Sequence, residues 1–197
     1  MKIVVFGSTG MIGSRIAAEL EQRGHEVIGA SRATGADITD PASVAAAATG
    51  ADAVVSAVAA RGVDYTLHDV ARCVVDGLRR ASVKRLVTVG GAGSLEVAPG
   101  LRLMDTPDFP DEFKVEAGQG ADALAFFQSI SDLDWTYVSP AAFIHPAERT
   151  GRYRLGGDQL LVDQNGNSEI SAEDYAIAIA DLLERGAHPR ARVAVAW

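Results

Sequence analysis

The sequence has 197 residues, of which 48% are hydrophobic and 22% charged, so it can bury a sizeable core and global disorder is not expected. Its formal net charge of −8 gives no attraction to a phosphate backbone, which argues against a nucleic-acid partner. Cys73 is the only cysteine, so neither an internal disulfide nor a thiolate metal cluster can form. We expect no metal site, because the four histidines are scattered without metal-ligand spacing: His25, His68, His145 and His188.

The chain shows no targeting segment at its start. The first apolar run, residues 3–6, ends at Gly7 and is too short for a signal peptide or a membrane span, and no later run approaches the about 18 apolar residues that a span needs. We therefore expect a cytoplasmic protein without a membrane partner. Since no repeat or linker divides the sequence, residues 1–197 are predicted to form a single domain.

Short β-branched apolar runs alternate with longer stretches of helical periodicity. Strands are predicted at residues 2–6, 26–30, 53–57, 85–89, 135–139 and 192–196. Helices are predicted between them at residues 11–23, 41–48, 65–81, 115–129 and 172–185, the last opening with the Ser171/Asp174 spacing of a capping box. This β-α-β-α alternation predicts an α/β fold, a Rossmann-like doubly wound parallel sheet with helices on both faces.

Two long segments interrupt the alternation, at residues 90–113 and 140–168. Both follow the carboxyl ends of predicted strands, where open α/β sheets bind ligands, so we expect them to form a small substrate-side region. Within the second segment, residues 153–155 and 159–162 are predicted to pair as a small hairpin.

A glycine-rich turn joins the first predicted strand to the first predicted helix. It reads Gly7-Ser8-Thr9-Gly10-Met11-Ile12-Gly13. The first glycine permits a tight turn, the second lets the backbone approach a pyrophosphate, and the third lets helix and strand pack closely. The helix start then offers free N–H groups to the anion. The alternative is a purely structural glycine-rich turn, but the position inside a βαβ unit favours a dinucleotide.

The end of the second predicted strand indicates which dinucleotide binds. A site that prefers NAD(H) normally places an acid there, whereas this chain has Ser31 and Arg32. Arg32 can pair with a 2′-phosphate, and Ser31 can donate a further hydrogen bond, so we expect NADP(H) to be favoured. If Arg32 instead pairs with a neighbouring acid, NAD(H) remains acceptable.

Further cofactor contacts are predicted after the second, third and fourth strands. Asp37 and Ile38 lie in the loop expected to pass the adenine, where Asp37 could accept from the amino group or remain solvated. Small residues end the next two strands and leave room for the backbone to approach the ribose: Ser56, Ala57 and Val58, then Val89, Gly90 and Gly91.

The sequence resembles the atypical short-chain dehydrogenase/reductase superfamily, and within it the bacterial NADH-flavin reductase group, which is related to biliverdin reductase B-like and NmrA-like proteins. Residues 7–13, 85–95, 103–114, 133–143, 149–161 and 170–180 carry the resemblance. The resemblance implies an NAD(P)-binding Rossmann-like domain and a reductase of flavins or quinones. It also places Ser139, Pro140, Ala141 and Phe143 at the nicotinamide end of the cofactor.

The sequence departs from the main branch of this superfamily, which uses a Tyr-x-x-x-Lys pair for proton exchange. None of its tyrosines, at 65, 137, 153 and 175, has a lysine four positions later. Hydride transfer to an isoalloxazine or quinone ring needs less from the protein, since the ring delocalises the charge and solvent can supply the proton.

Lys114 is the candidate for a catalytic cation, its alternative being a solvated lysine at a helix start. Aromatic residues could line a slot for the ring or belong to the core: Phe109, Phe113, Phe143 and Tyr153.

Three functions are compatible with these features. The first is an NAD(P)H-dependent reductase, NADPH favoured, that passes hydride to a flavin (FMN or FAD), a quinone or a similar small-molecule acceptor. The second is a non-catalytic NADP(H)-binding redox sensor of the NmrA-like type. The third is a sugar-type epimerase, which would still need an acid/base pair that the sequence lacks.

Exposed helices of such sheets often pair, so a homodimer is the alternative to a monomer.

Overall fold

The computed structural model describes residues 1–197 and contains one mixed seven-stranded sheet with helices on both faces. The order along the chain is β1 (Lys2–Phe6), α1 (Met11–Gln22), β2 (Glu26–Ala30), α2 (Pro41–Ala48), β3 (Ala53–Ser56), α3 (Leu67–Ala81), β4 (Arg85–Val89), β5 (Glu96–Ala98), β6 (Leu101–Arg102), α4 (Asp111–Gln128), β7 (Asp134–Pro140), β8 (Phe143–His145), β9 (Arg154–Gly156), β10 (Glu169–Ser171), α5 (Ala172–Glu184) and β11 (Ala191–Ala196). Short 3₁₀ turns cover Arg32–Thr34 and Leu103–Asp105.

The main sheet has the strand order β2-β1-β3-β4-β7-β11-β9 and is parallel except for β9. β1 pairs with β2 on one side and with β3, which comes later in the chain, on the other side. The strand order therefore reverses between β1 and β3, and the crevice outside their carboxyl ends is where doubly wound sheets bind ligands. The predicted α/β doubly wound fold is confirmed.

Alternating side chains of the strands feed two cores. Val4 and Phe6 face α2, α3 and α4, whereas Ile3 and Val5 face α1 and α5. Strands buried on both faces explain why their sequences are almost continuously apolar. No helix is both long enough and apolar enough to cross a membrane.

The predicted hairpin at residues 153–155 and 159–162 is wrong. β9 pairs antiparallel with β11 of the main sheet, while Gln159 forms an isolated parallel bridge with Glu96. The outer edge of β11 offers a long row of unpaired backbone groups, and pairing with it extends a sheet that already has a core. The two segments still touch, because the Leu161 side chain packs over Gly156.

The segment at residues 90–113 is less irregular than its prolines suggest. β5 and β6 form a small antiparallel pair, and α4 begins at Asp111, four residues before its predicted start at residue 115. Pro110 precedes the first turn, and Asp111 and Glu112 place negative charge at the helix N-terminus, where it is stabilising.

Asp174 is the buried carboxylate that fixes the substrate-side segment to the sheet. Its own backbone N–H donates to Ser171 Oγ as the capping spacing predicts, but its carboxylate accepts from Thr150 Oγ1 at 2.5 Å, Gly151 N at 2.8 Å and Trp197 Nε1 at 2.7 Å. Burial alone would raise the pKa of Asp174, but these hydrogen bonds hold it below its ordinary value.

We expect Asp174→Asn to lower the free energy of unfolding by about 2 kcal/mol at pH 7, since an amide cannot accept all three hydrogen bonds. A lowered native pKa gives stability that is present above the ordinary aspartate pKa and is lost as pH falls through the native value. The free energies of unfolding of wild type and variant should therefore become more similar below about pH 4. Urea unfolding across pH measures both effects. The exposed Asp108→Asn variant is the control, and an equal effect there would contradict the role of Asp174.

Candidate functional site

The turn between β1 and α1 is held by close backbone contacts. Gly7 has φ of +79°, and a side chain there would overlap the carbonyl group of Ala57 at the end of β3. A side chain at Gly13 would overlap the carbonyl group of Gly7, so α1 can approach the turn only because that position is glycine. Gly10 N donates to Gly7 O at 2.9 Å and closes the turn.

This turn presents backbone donors that have no acceptor in the protein. Gly10 precedes α1 without a side-chain cap, and the first helical hydrogen bond is from Ser14 N to Gly10 O at 3.0 Å. The N–H groups left without partners belong to Ser8, Thr9, Met11, Ile12 and Gly13. Several N–H groups converging at a helix N-terminus favour an anion such as a pyrophosphate, so the predicted turn residues fit the dinucleotide expected there.

The structure places Ser31 and Arg32 at the carboxyl end of β2, as expected for a site facing the 2′ position. Ser31 Oγ is buried and has no hydrogen-bond partner, although Ser31 N donates to Thr34 Oγ1 at 2.9 Å. Arg32 is exposed and forms no ion pair, although its positive charge helps to lower the pKa of the Asp37 carboxyl. The exposed guanidinium of Arg32, which has no ion-pair partner, suits a phosphate group.

Asp37 and Ile38 have local structural contacts. Asp37 Oδ1 accepts from Thr39 N at 2.8 Å and Thr39 Oγ1 at 2.7 Å, and these hydrogen bonds lower the pKa of the carboxyl. Ile38 is buried in the core shared with α2 and α3. An adenine contact from Asp37 stays a prediction, and it would have to use the remaining carboxylate oxygen.

The ends of β3 and β4 lie side by side, with Ser56 opposite Thr88. Between them and α3 is a cavity of about 20 Å³, with room for one water. Val58 and Val89 line this cavity, whereas Ala57, Gly90 and Gly91 are half-buried at the strand ends. The predicted ribose-side residues therefore meet along one edge of the sheet.

The nicotinamide-side residues follow on the neighbouring strand. Ser139 and Pro140 end β7 and are buried, as is Ala141, whereas Phe143 on β8 is exposed. Ser139 Oγ is fully buried without a hydrogen-bond partner. Ser139 therefore lies beneath this edge, in the region where the resemblance places the nicotinamide, and its hydroxyl does not reach the surface.

Lys114 and the predicted aromatic slot are dispersed. Lys114 Nζ pairs with Asp111 at 2.6 Å in the first turn of α4, and about half of its side chain is exposed. Tyr153 donates to Asp181 of α5 and packs on the α1/α5 side of the sheet. Phe143 stacks on His145, with ring centroids 4.6 Å apart, while Phe113 lies on α4. These three aromatic residues thus do not form one slot, and Phe109 lies just before the start of α4.

Two contacts near this edge have no signal in the sequence. His145 has a partner, Glu169, with Nε2 2.6 Å from Oε1, and its Nδ1 faces the carbonyl oxygen of Pro146. Arg61 lies over the Phe113 ring at 5.6 Å from the centroid. Both contacts join distant segments, and no local pattern in the sequence marks either of them.

A family model described as NAD(P)H-binding matches residues 7–186. The chain belongs to this NAD(P)H-binding family. The match begins at the glycine turn and includes the residues placed above at the ends of β2, β3, β4 and β7. The family supports a nicotinamide cofactor, and the resemblance to atypical short-chain dehydrogenases/reductases is confirmed.

Solved structures of similar proteins cover the whole chain. One from Burkholderia pseudomallei, provisionally named an exported protein, is 49% identical with a TM-score of 0.92 and full coverage of both chains. A Bacteroides thetaiotaomicron protein provisionally named an epimerase is 37% identical, with a TM-score of 0.92 over 100% of this chain and 96% of that one. A Streptococcus pneumoniae protein provisionally named an NADH-flavin reductase is 35% identical, with a TM-score of 0.87 over 100% and 99%.

We expect Gly13→Ala to weaken NADPH and NADH alike by at least about tenfold, because the added methyl group pushes α1 away from the turn that presents its N–H groups. Fluorescence titration of each nucleotide measures the effect. Gly118→Ala on α4, where an added methyl group meets nothing, is the matched control. A folded Gly13→Ala variant with wild-type affinity would contradict the assignment of the turn.

Proposed function

We propose that the protein is an NADPH-dependent reductase that transfers hydride to a flavin, a quinone or a similar conjugated acceptor. The observation that carries the proposal is the glycine turn with five unpaired N–H groups at the switch point of the sheet. Membership of the NAD(P)H-binding family supports it, and so does the similar Streptococcus pneumoniae protein with a flavin reductase name.

Three of the four tyrosines favour a conjugated ring over an ordinary carbonyl as the acceptor, and the fourth, Tyr65, has no lysine four positions later. Tyr137 is buried and donates to Gly120 O, and burial raises its pKa to about 12. Tyr175 is fully buried and donates to Val138 O at 2.6 Å, while burial and Asp181 raise the pKa of Tyr153 to about 12. These three hydroxyls already donate within the protein, so none is poised to protonate an alkoxide.

A conjugated ring removes the need for such a group. Bound NADPH would supply the hydride and water the proton, so that the acceptor would gain the two electrons that the cofactor loses. The protein contributes binding and alignment of two flat rings. In this proposal the turn holds the pyrophosphate, Ser31 and Arg32 bind the 2′-phosphate, and Ser139 to Ala141 with Phe143 border the nicotinamide. A cytoplasmic location and a homodimer stay predictions.

The proposal is tested by oxidation of NADPH and NADH, side by side, with FMN, FAD and a simple quinone as acceptors. We expect turnover, with NADPH favoured. Saturable NADP(H) binding without turnover of any acceptor would contradict the reductase and favour the sensor instead.

Arg32→Asp is expected to reverse the cofactor preference. Replacing the guanidinium by a carboxylate should lower the NADPH/NADH ratio of kcat/KM by at least about tenfold, because the new charge repels the 2′-phosphate. Arg80→Asp is the matched control, since Arg80 is also exposed and lies on α3. An unchanged ratio in the Arg32 variant would refute the assignment of the 2′-phosphate.

A further inference from the structure

A second opening lies beside the proposed cofactor groove, between residues 60–62 and the first two turns of α4. This cleft has a volume of about 360 Å³, within the range of small-molecule sites. Its lining includes Arg61, Glu112, Phe113, Val115, Glu116 and Gln119. None of these residues is part of the cofactor assignment above.

Contacts of α4 place the cleft next to the end of β4. The Ala117 side chain packs against Gly93, so that an added methyl group at Gly93 would lie 2.6 Å from it. Tyr137 Oη accepts from Gly91 N at 3.3 Å and donates to Gly120 O at 3.0 Å. The other wall begins at residue 60, four residues after the end of β3. A ring in the cleft would therefore lie near the ends of β3 and β4, which are expected to approach the cofactor ribose.

Phe113 and Arg61 give the cleft a flat apolar surface and a cation. About 41% of Phe113 is exposed, so part of its ring is accessible to a ligand in the cleft. Arg61 lies over this ring, and its guanidinium is held by Glu116 Oε2 at 2.5 Å. Lys114 is not among the lining residues. Arg61 is therefore the cation nearest to an acceptor in this cleft.

The charges of the cleft limit what it can accept. Glu112 and Glu116 contribute two carboxylates against the single guanidinium of Arg61, in a chain of net charge −8. A phosphorylated acceptor would meet this excess of negative charge, whereas an uncharged ring would not.

We propose that this cleft is the acceptor subsite and takes an uncharged conjugated ring, such as the isoalloxazine of riboflavin, in preference to phosphorylated flavins. Phe113 stacks on the ring, and Arg61 stabilises the negative charge that the ring acquires with the hydride. Glu116 is a positioning residue that orients Arg61. The assignment rests on the proposed reductase function and replaces Lys114 by Arg61 as the catalytic cation.

Binding is tested without turnover, by quenching of riboflavin or FMN fluorescence in the presence of NADP⁺. We expect riboflavin to bind about fivefold more tightly than FMN, and Glu112→Gln to narrow that difference. Phe113→Leu should weaken riboflavin about fivefold while NADP⁺ affinity is unchanged. Phe126→Leu, the same substitution near the other end of α4, is the matched control. Tighter binding of FMN, or wild-type riboflavin affinity in Phe113→Leu, would overturn the subsite.

The role of Arg61 is tested by steady-state kinetics with riboflavin. Arg61→Gln should lower kcat about tenfold with little change in the KM for NADPH, and Arg61→Lys should recover part of the loss because it retains the charge. Arg80→Gln is the control. Wild-type kcat in Arg61→Gln would overturn the catalytic role of Arg61.

The two proposals can fail separately. If the wild type binds riboflavin in a manner that depends on Phe113 but reduces no acceptor, the reductase function fails and the ring subsite stands. If the wild type reduces acceptors at rates that neither Phe113→Leu nor Arg61→Gln changes, the subsite fails and the reductase stands.

Discussion

The close approach of α1 to the end of β1 is the constraint on which the site depends. Gly7 and Gly13 remove the side chains that would separate helix, turn and β3, and the N-terminus of α1 is thereby fixed at the switch point of the sheet. Its first N–H groups are left without partners within the protein. Such donors are costly to bury unless an anion or water satisfies them, so the geometry that packs the fold also creates the proposed phosphate site.

Two carboxylates of α5 fix residues 147–151, which follow the proposed nicotinamide residues. Glu173 on α5 accepts from Ala147 N at 2.9 Å and pairs with Arg15 of α1, whose guanidinium also reaches Met11 O at 2.7 Å. Asp174 holds the following residues, as described above. The side chains of Glu173 and Arg15 therefore connect Ala147, which follows the proposed nicotinamide residues, to Met11 at the phosphate turn. This arrangement would hold the protein groups at both ends of a bound dinucleotide in fixed positions relative to α1 and α5.

The fold was predictable from local sequence, whereas much of the site was not. Apolar strands and amphipathic helices appear as periodic patterns, and the Gly7–Gly13 turn has a recognisable spacing next to a strand. The partner of β9 depended on the free edge of β11, which no local pattern shows, whereas the early start of α4 is marked in the local sequence by Pro110 and two acids. The Arg61–Phe113 contact joins residues 52 positions apart in sequence, so no local pattern could identify the cleft or move the candidate cation away from Lys114.

The most direct test of the central claim is a crystal structure of the protein with NADPH. The account predicts that the pyrophosphate accepts hydrogen bonds from the backbone N–H groups at the start of α1. It also predicts that the 2′-phosphate contacts Ser31 and Arg32, and that the nicotinamide lies beside Ser139. A dinucleotide bound away from the Gly7–Gly13 turn, or with its 2′-phosphate free in solvent, would contradict it.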